Sequence, residues 1–431
     1  MNRWRPFLVL ETSTVLSGTA NGITMVAFPW LVLETTGNAT AAAVIAAVSA
    51  IPLLLSMLVT GSIVDMVGRR RVSIASDVLS MMSVVLVPML AAWVGLDLWL
   101  LLLVAVLGAV FDPAGITARE TMLPEAARTA GLQLERANGI HESAYGFAFL
   151  LGPGIGGVLI GIIGAIPTFW VTAAAFALSA LLMATTRMPG GGRPPVHERP
   201  RGLWRSTREG LQFLWRDRVL RSVAFLTALL VAVWLPLEGV VLPVHFTEID
   251  QPAQLGLLIT TMSGGGVVGA LAYAAVGRRF SRHRAFVASL ILCALPVVGL
   301  SLLPSYPAML VLGFLTGVFF GAVNPIVNLA MQNRTPPALR GRVIGVMGSA
   351  AYAAGPIGYL VAGPLIEQWG VQRTFLVLAL LLLAVTVLAA FFPSLRGLDD
   401  PPLPGTRPDL RTANPDRRLA DAEEIVASRL D

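Results

Sequence analysis

An ionisable side chain inside an apolar run costs on the order of 3 kcal/mol to place in a membrane, so it marks a site by default. Glu238 is such a group. It stands in the segment Trp234 to Gly239, well inside an apolar stretch running from Ser222 to Thr247. Pro236 should loosen the helix just before it. A carboxyl in that place can take up and give back a proton. As an anion it attracts a cationic ligand, and protonation lets the ligand go. The alternative is a structural Glu satisfied by neighbouring helices. Asp112 and Glu142 are further proton-coupling candidates. Asp112 is two turns from Arg119, too far for more than a loose pair, and is expected to face a cavity. Glu142 and Glu11 should lie near one membrane face, where a solvated structural role is the expectation. Asn21, Trp30, Tyr145, Trp234, Asn324 and Asn328 carry the aromatic faces and amides that suit an amphipathic, often cationic ligand. Each could equally pack between helices, and Trp30 could belong to an interfacial belt.

Other chemistry is not encoded. His141, His197, His245 and His283 are scattered without metal-ligand spacing. There is no glycine loop for phosphate and no nucleophile with a base in view. No enzymatic activity, no cofactor and no metal is expected. Cys293 is a lone cysteine in an apolar run and reads as a small buried residue.

The elements that must position these residues are membrane spans. Of 431 residues, 55% are hydrophobic and 13% charged, and the mean hydropathy is +0.74. A soluble domain carries about a quarter charged residues, so the bilayer is the solvent this chain needs. The net charge of +6 does not indicate a nucleic-acid partner, because the basic residues form short clusters between apolar runs. All of them are Arg. Stretches free of charge or nearly so run over 12–33, 35–64, 78–96, 98–111, 143–186 (two spans, turning at Gly164 to Pro167), 222–247, 251–277, 285–333 (two spans, turning at Leu303 to Pro307), 343–366 and 374–395. That makes twelve. The basic, then apolar N-terminus lacks a small-residue cleavage site after its long run and reads as an uncleaved first span.

The Arg residues set the orientation. With the N-terminus inside, every Arg but Arg373 falls in a cytoplasmic loop or tail, the asymmetry that places both termini in the cytoplasm. The expected organisation is a six-span half over 1–187, a linker over 188–221, a second half over 222–395 and a largely disordered tail over 396–431. The linker should contain a surface helix from Leu203 to Arg218, with Leu203, Leu211, Leu214 and Trp215 on one face.

The halves repeat. Gly68-Arg69-Arg70 after the second span returns as Gly277-Arg278-Arg279 after the eighth, and Gly152-Pro153 in the fifth as Gly355-Pro356 in the eleventh. Transporters are commonly built so, with a substrate site between the halves near the midplane. Gly61 permits close helix approach, Gly68 a tight turn, and Asp65 is an anion at a helix end. Gly152, Pro153, Gly156 and Gly157 suit tight packing and bending.

Gly61, Asp65, Gly68, Arg69 and Arg70 resemble the loop 2–3 signature of the major facilitator superfamily. The resemblance implies a latch in which Asp65 pairs, with Arg119 as the expected partner, and breaks when the cytoplasmic side opens. Ala274 replaces the acid in the second copy. Gly152 to Gly157 resembles part of an antiporter signature, with Ala148 where its upstream glycine would stand. The segments 26–37, 111–127, 135–143 and 339–358 are similar to the third drug:proton antiporter family, especially its multidrug pumps. An acid that relatives often carry in the first span is replaced by Asn21, which shifts weight to Glu238. The resemblance implies an all-α twelve-helix transporter exporting drugs such as tetracyclines or aminoglycosides in exchange for protons. It implies an inner-membrane monomer whose partners are small molecules, protons and lipid. An exporter of one endogenous metabolite, such as a siderophore, is the nearest alternative, and a membrane scaffold or sensor the more distant one.

Overall fold

The computed structural model describes residues 3–188, 190–192, 203–336 and 339–400. Twelve of its helices are long and apolar enough to cross a membrane. The first half contains spans one to six, at Arg5–Thr36, Ala39–Val67, Arg69–Trp93, Leu98–Ala130, Leu134–Ile163 and Ala165–Thr185. The second contains spans seven to twelve, at Arg218–Glu248, Pro252–Val276, Arg282–Ser301, Tyr306–Arg334, Arg342–Trp369 and Val371–Ala389. The fold is all-α among the described residues.

Local chemistry starts and stops these helices. Asn38 caps span two by accepting from the Ala41 N–H at 2.7 Å, and Asp97 caps span four from Leu100 at 2.8 Å. Gly68 turns the chain between spans two and three at φ +107°, a conformation that favours glycine. Span seven follows Pro236 with a wide π turn at Leu237–Val241, the loosening expected there. Exposed Trp93, Trp99, Trp170 and Trp369 ring the end opposite the Arg-rich loops, as an interfacial belt does. Trp30 is 3% exposed and belongs to the core instead.

Several helices outrun the charge-free stretches. Span one begins before Glu11, span three before Asp77, and span four continues past Asp112 and Arg119. The linker forms a helix at Leu203–Arg216. Its Leu214 is buried, whereas Leu211 and Trp215 are exposed. A Cβ on Gly210 would stand 2.8 Å from the Arg342 carbonyl oxygen, and Glu209 pairs with Arg342, which ties the helix to the start of span eleven.

The chain after span twelve departs from expectation at its start. Pro393–Asp399 forms a short 3-10 segment with Leu395 and Leu398 buried. Arg334 holds it in place, reaching the Gly397 carbonyl at 3.0 Å while pairing with Asp217 at 2.9 Å. Ser281 and the His283 N–H bond Asp399. Desolvation works against the Asp399 carboxylate, but these hydrogen bonds outweigh it and hold its pKa below the usual value. Its contribution is therefore present above the ordinary Asp pKa and fades as pH falls through the lowered one. Residues 401–431 lie outside the described residues. Arg334→Ala is expected to cost about 2 kcal/mol, the loss of charged hydrogen bonds. A lowered Tm of the detergent-purified protein checks it.

Candidate functional site

The first half encloses a cavity of about 660 Å³. Its wall is mostly apolar, with Met25, Phe28, Met57, Phe149 and Phe169 among the larger side chains, and Gly239 of span seven closes one side. The polar groups that reach it are few: Asn21, Ser49, Ser83, Asp112, Thr117, Glu120 and Tyr145 among them. Asp112 is held by the Ser80 hydroxyl, which donates to it at 2.5 Å. Pro113 follows it directly, freeing a backbone carbonyl in the turn before. Asp112 thus faces the cavity, as its distance from Arg119 implied.

Glu238 is placed differently. The Trp234 indole N–H donates to it at 3.0 Å, one turn back on the same helix. It is half-buried near Tyr352 and Tyr359, next to the Gly239 that touches the cavity. Trp234 and Asn324 line a second, smaller cavity of about 100 Å³ inside the second half, and Trp234 stacks on Phe320. Asn328 is exposed one turn further along span ten. Trp30 lines neither cavity. Of the six expected cavity residues, Asn21 and Tyr145 therefore share the main cavity, and Trp234 and Asn324 share another. Glu142 is exposed. Glu11 is only 7% exposed and pairs with His141, so the solvated role expected for it is not what the structure shows.

The loop 2–3 residues are tied to the same half. Arg70 donates to the carbonyls of Met183 and Ala184, at the end of span six, where a cation favours the helix dipole. Its backbone N–H and that of Arg69 bond Gly191 and Gly192. Asp65 is half-buried and makes no ion pair among the described residues. Arg119 is not its partner. The guanidinium is 3% exposed and bonds both carboxylate oxygens of Asp77 at 3.1 Å. Ser17 and Ser179 complete the shell of Asp77 at 3.0 and 2.6 Å. Four spans, one, three, four and six, meet at this pair. A buried carboxylate so placed is affordable only because both charges and their lone pairs are met. Asp77 was missed in the sequence, although Ser73, Ser76, Asp77, Ser80 and Ser83 form a buried polar stripe at helical spacing.

The glycine-rich segment of span five does two jobs. A Cβ on Gly152 would stand 2.7 Å from the Gly22 Cα of span one, and one on Gly156 3.0 Å from the Ile23 carbonyl. Gly157 instead meets the other half, at the Pro252 carbonyl and Gly256 of span eight. The halves also meet at Gly363 against Ala43 and Thr40, and the Thr40 N–H bonds Glu367 at 3.1 Å. All these contacts lie at the end opposite the Arg-rich loops. On the Arg-rich ends of the same spans, Gly139, Gly146, Gly345 and Gly348 face open space. On the Arg-rich side the cavity ends at exposed Glu120.

Twelve spanning helices in two six-helix halves, with a cavity walled by the first half and touched by the second, define a membrane transporter of the major facilitator fold. Residues 3–404 match the transmembrane secretion effector family, and the chain belongs to that family. It is 44% identical over 397 residues to the multidrug efflux pump Tap of Mycolicibacterium fortuitum, covering 91% of this chain and 97% of that one. Identity to the multidrug efflux pump Tap of Mycobacterium tuberculosis is 43% over 401 residues, covering 92% and 96%. Macrolide efflux protein A of Streptococcus pyogenes is 20% identical, covering 92% and 98%. Among solved structures, the nucleoside transporter NupG superposes with a TM-score of 0.73 at 14% identity, covering 91% of this chain and 99% of that one. A bacterial homolog of the human lysosomal transporter Spinster, inward-facing and unoccupied, gives 0.66 at 14%, covering 92% and 97%. At such identities these two speak for the fold alone. Relatives and fold are those of transporters, not enzymes.

Proposed function

We propose that this protein exports drugs from the cytoplasm across the inner membrane in exchange for protons, by alternating access. The Arg-rich face is the cytoplasmic one, and the structure is then the inward-open state. The observation that carries this reading is the cavity itself: drug-sized, apolar and aromatic, with the carboxyl of Asp112 in its wall. The multidrug pumps that resemble the chain over more than nine-tenths of its length support it. A cationic drug entering from the cytoplasm meets the Asp112 anion. A proton arriving from the other side neutralises that anion and releases the drug outward. Glu238, beside Gly239 on the facing half, is the second coupling acid. Asp65, without an ion pair among the described residues, closes on the Arg-rich start of span eleven when the cytoplasmic end shuts. Tetracyclines and aminoglycosides are the first candidates as substrates, and the monomer is the working unit.

Ethidium efflux from energised cells tests the reading. Wild type should extrude the dye and stop when an uncoupler collapses the proton gradient. Asp112→Asn and Glu238→Gln should each lower efflux at least tenfold at normal expression. Wild-type cells that extrude none of ethidium, tetracycline or streptomycin would favour a single-metabolite exporter instead.

A further inference from the structure

The first half buries a second pair of titratable groups that the cycle above does not use. Glu11 in span one and His141 in span five are each 7% exposed. His141 Nδ1 stands 3.1 and 3.2 Å from the two oxygens of Glu11. Beside the pair is a gap of about 10 Å³, the size of one water-sized sphere, walled by Gly18 and Ile116 and by the polar side chains of Thr14, Asn21, Arg119, His141 and Tyr145. Asn21 and Tyr145 also line the main cavity, together with Asp112 and Glu120. The buried pair therefore adjoins the substrate cavity through two polar side chains that both compartments share.

We propose that Glu11 and His141 form a proton-binding site of the transport cycle, connected to the substrate cavity through the gap at Asn21 and Tyr145. The proposal rests on the proton-coupled reading and names a carrier for the proton within it. Imidazole is suited to the task because its free pKa lies near neutrality. With Nδ1–H donated to Glu11, the ring is fixed and its Nε2 is the atom that gains and loses the proton. In the loaded form the imidazolium faces the Glu11 carboxylate, and the pair is neutral. Unloading moves one proton from Nε2 to water at the cytoplasmic face and leaves the Nδ1–H···Glu11 bond intact. The charged and titratable groups around the ring are Glu11 from span one, Arg119 and Glu120 from span four, and Glu142 and Tyr145 from its own helix. Arg119 is already neutralised by Asp77. The exposed carboxylates Glu120 and Glu142 lie beside the ring on spans four and five and pass its proton to water. Span one thus does carry an acid, about ten residues or roughly 15 Å nearer the cytoplasm than Asn21.

The test uses the full chain in liposomes with ethidium as probe. One assay reads accumulation driven by an imposed pH gradient, and the other reads ethidium counterflow at equal pH, from about pH 5.5 to 8. Wild type alone tests the underlying reading: accumulation indifferent to the gradient overturns proton coupling, whatever the variants do. Given a gradient-driven wild type, His141→Gln and Glu11→Gln should each lose accumulation at least tenfold. They should keep counterflow within about twofold, and the pH profile of counterflow in His141→Gln should lose the step near neutrality that wild type shows while keeping the one set by Asp112 and Glu238. Wild-type accumulation in His141→Gln, or a wild-type pH profile of its counterflow, overturns the proposal. The double variant, whose two amides can still bond each other, guards against a folding artefact. Loss of counterflow in both single variants and in the double one makes the pair structural and overturns it as well.

Discussion

Asp77→Ala is expected to remove most of the protein from the membrane fraction, with a stability loss of about 3–5 kcal/mol. That is the range for taking one partner from a buried ion pair. The cause is what remains. The Arg119 guanidinium would keep only Ser17 as a hydrogen-bond partner in a place that is 3% exposed. Ser17 and Ser179 would each lose an acceptor as well. Asp77→Leu with Arg119→Met should recover most of the loss, because removing both charges together removes both desolvation penalties. The signature is strong non-additivity between the two sites, read as Tm in detergent and as membrane yield. All four spans at the pair belong to one half, so it need not break when the halves rock. The double variant is accordingly expected to regain transport along with yield. A stable Asp77→Ala would mean that water reaches Arg119, and recovered yield without transport would mean that the pair moves during the cycle.

The same pair shows what the sequence could and could not reveal. Twelve spans, two halves and the Gly68 turn were legible because lipid imposes long apolar runs and the Arg residues gather at one face. The ionic interior was not. Reading spans as charge-free stretches set their edges at 12, 78, 111 and 143, immediately beside Glu11, Asp77, Asp112 and Glu142. The helices run straight past those edges. Lipid excludes unpaired charge, but a bundle interior accepts charge that is paired. Hydropathy therefore reports the lipid-facing surface and trims away the residues that meet inside. The serine stripe around Asp77 was the available signal, since polar residues at three- and four-residue spacing in a span must face other helices. Glu238 illustrates the reverse limit. Its isolation in an apolar run singled it out, yet only the structure shows it bonded to Trp234, with Asp112 holding the cavity wall.

Where the halves close against each other was likewise hidden, and it yields the second large effect. Gly157→Ala is expected to abolish the closed outer seam. A methyl there would stand 3.0 Å from the Gly256 Cα and closer still to the Pro252 carbonyl, backbone atoms that cannot step aside. Gly256→Ala meets the Pro153 carbonyl and Gly157 in the same way. Overpacking of this kind costs about 1–3 kcal/mol. The cost falls only on the state in which spans five and eight touch, so the balance between states moves by up to roughly a hundredfold. The protein should remain folded but rest open to the side opposite the Arg-rich loops, and transport should fall at least tenfold. Cys293 is buried, so Cys293→Ala gives a background free of cysteine in which Val32→Cys reports the outer end of the cavity. A membrane-impermeant maleimide added outside should label that site faster when Gly157→Ala is present. A control separates seam from packing. Gly152→Ala presses spans one and five apart within one half and should destabilise without raising outside labelling. Equal labelling with and without Gly157→Ala would mean that the halves close elsewhere.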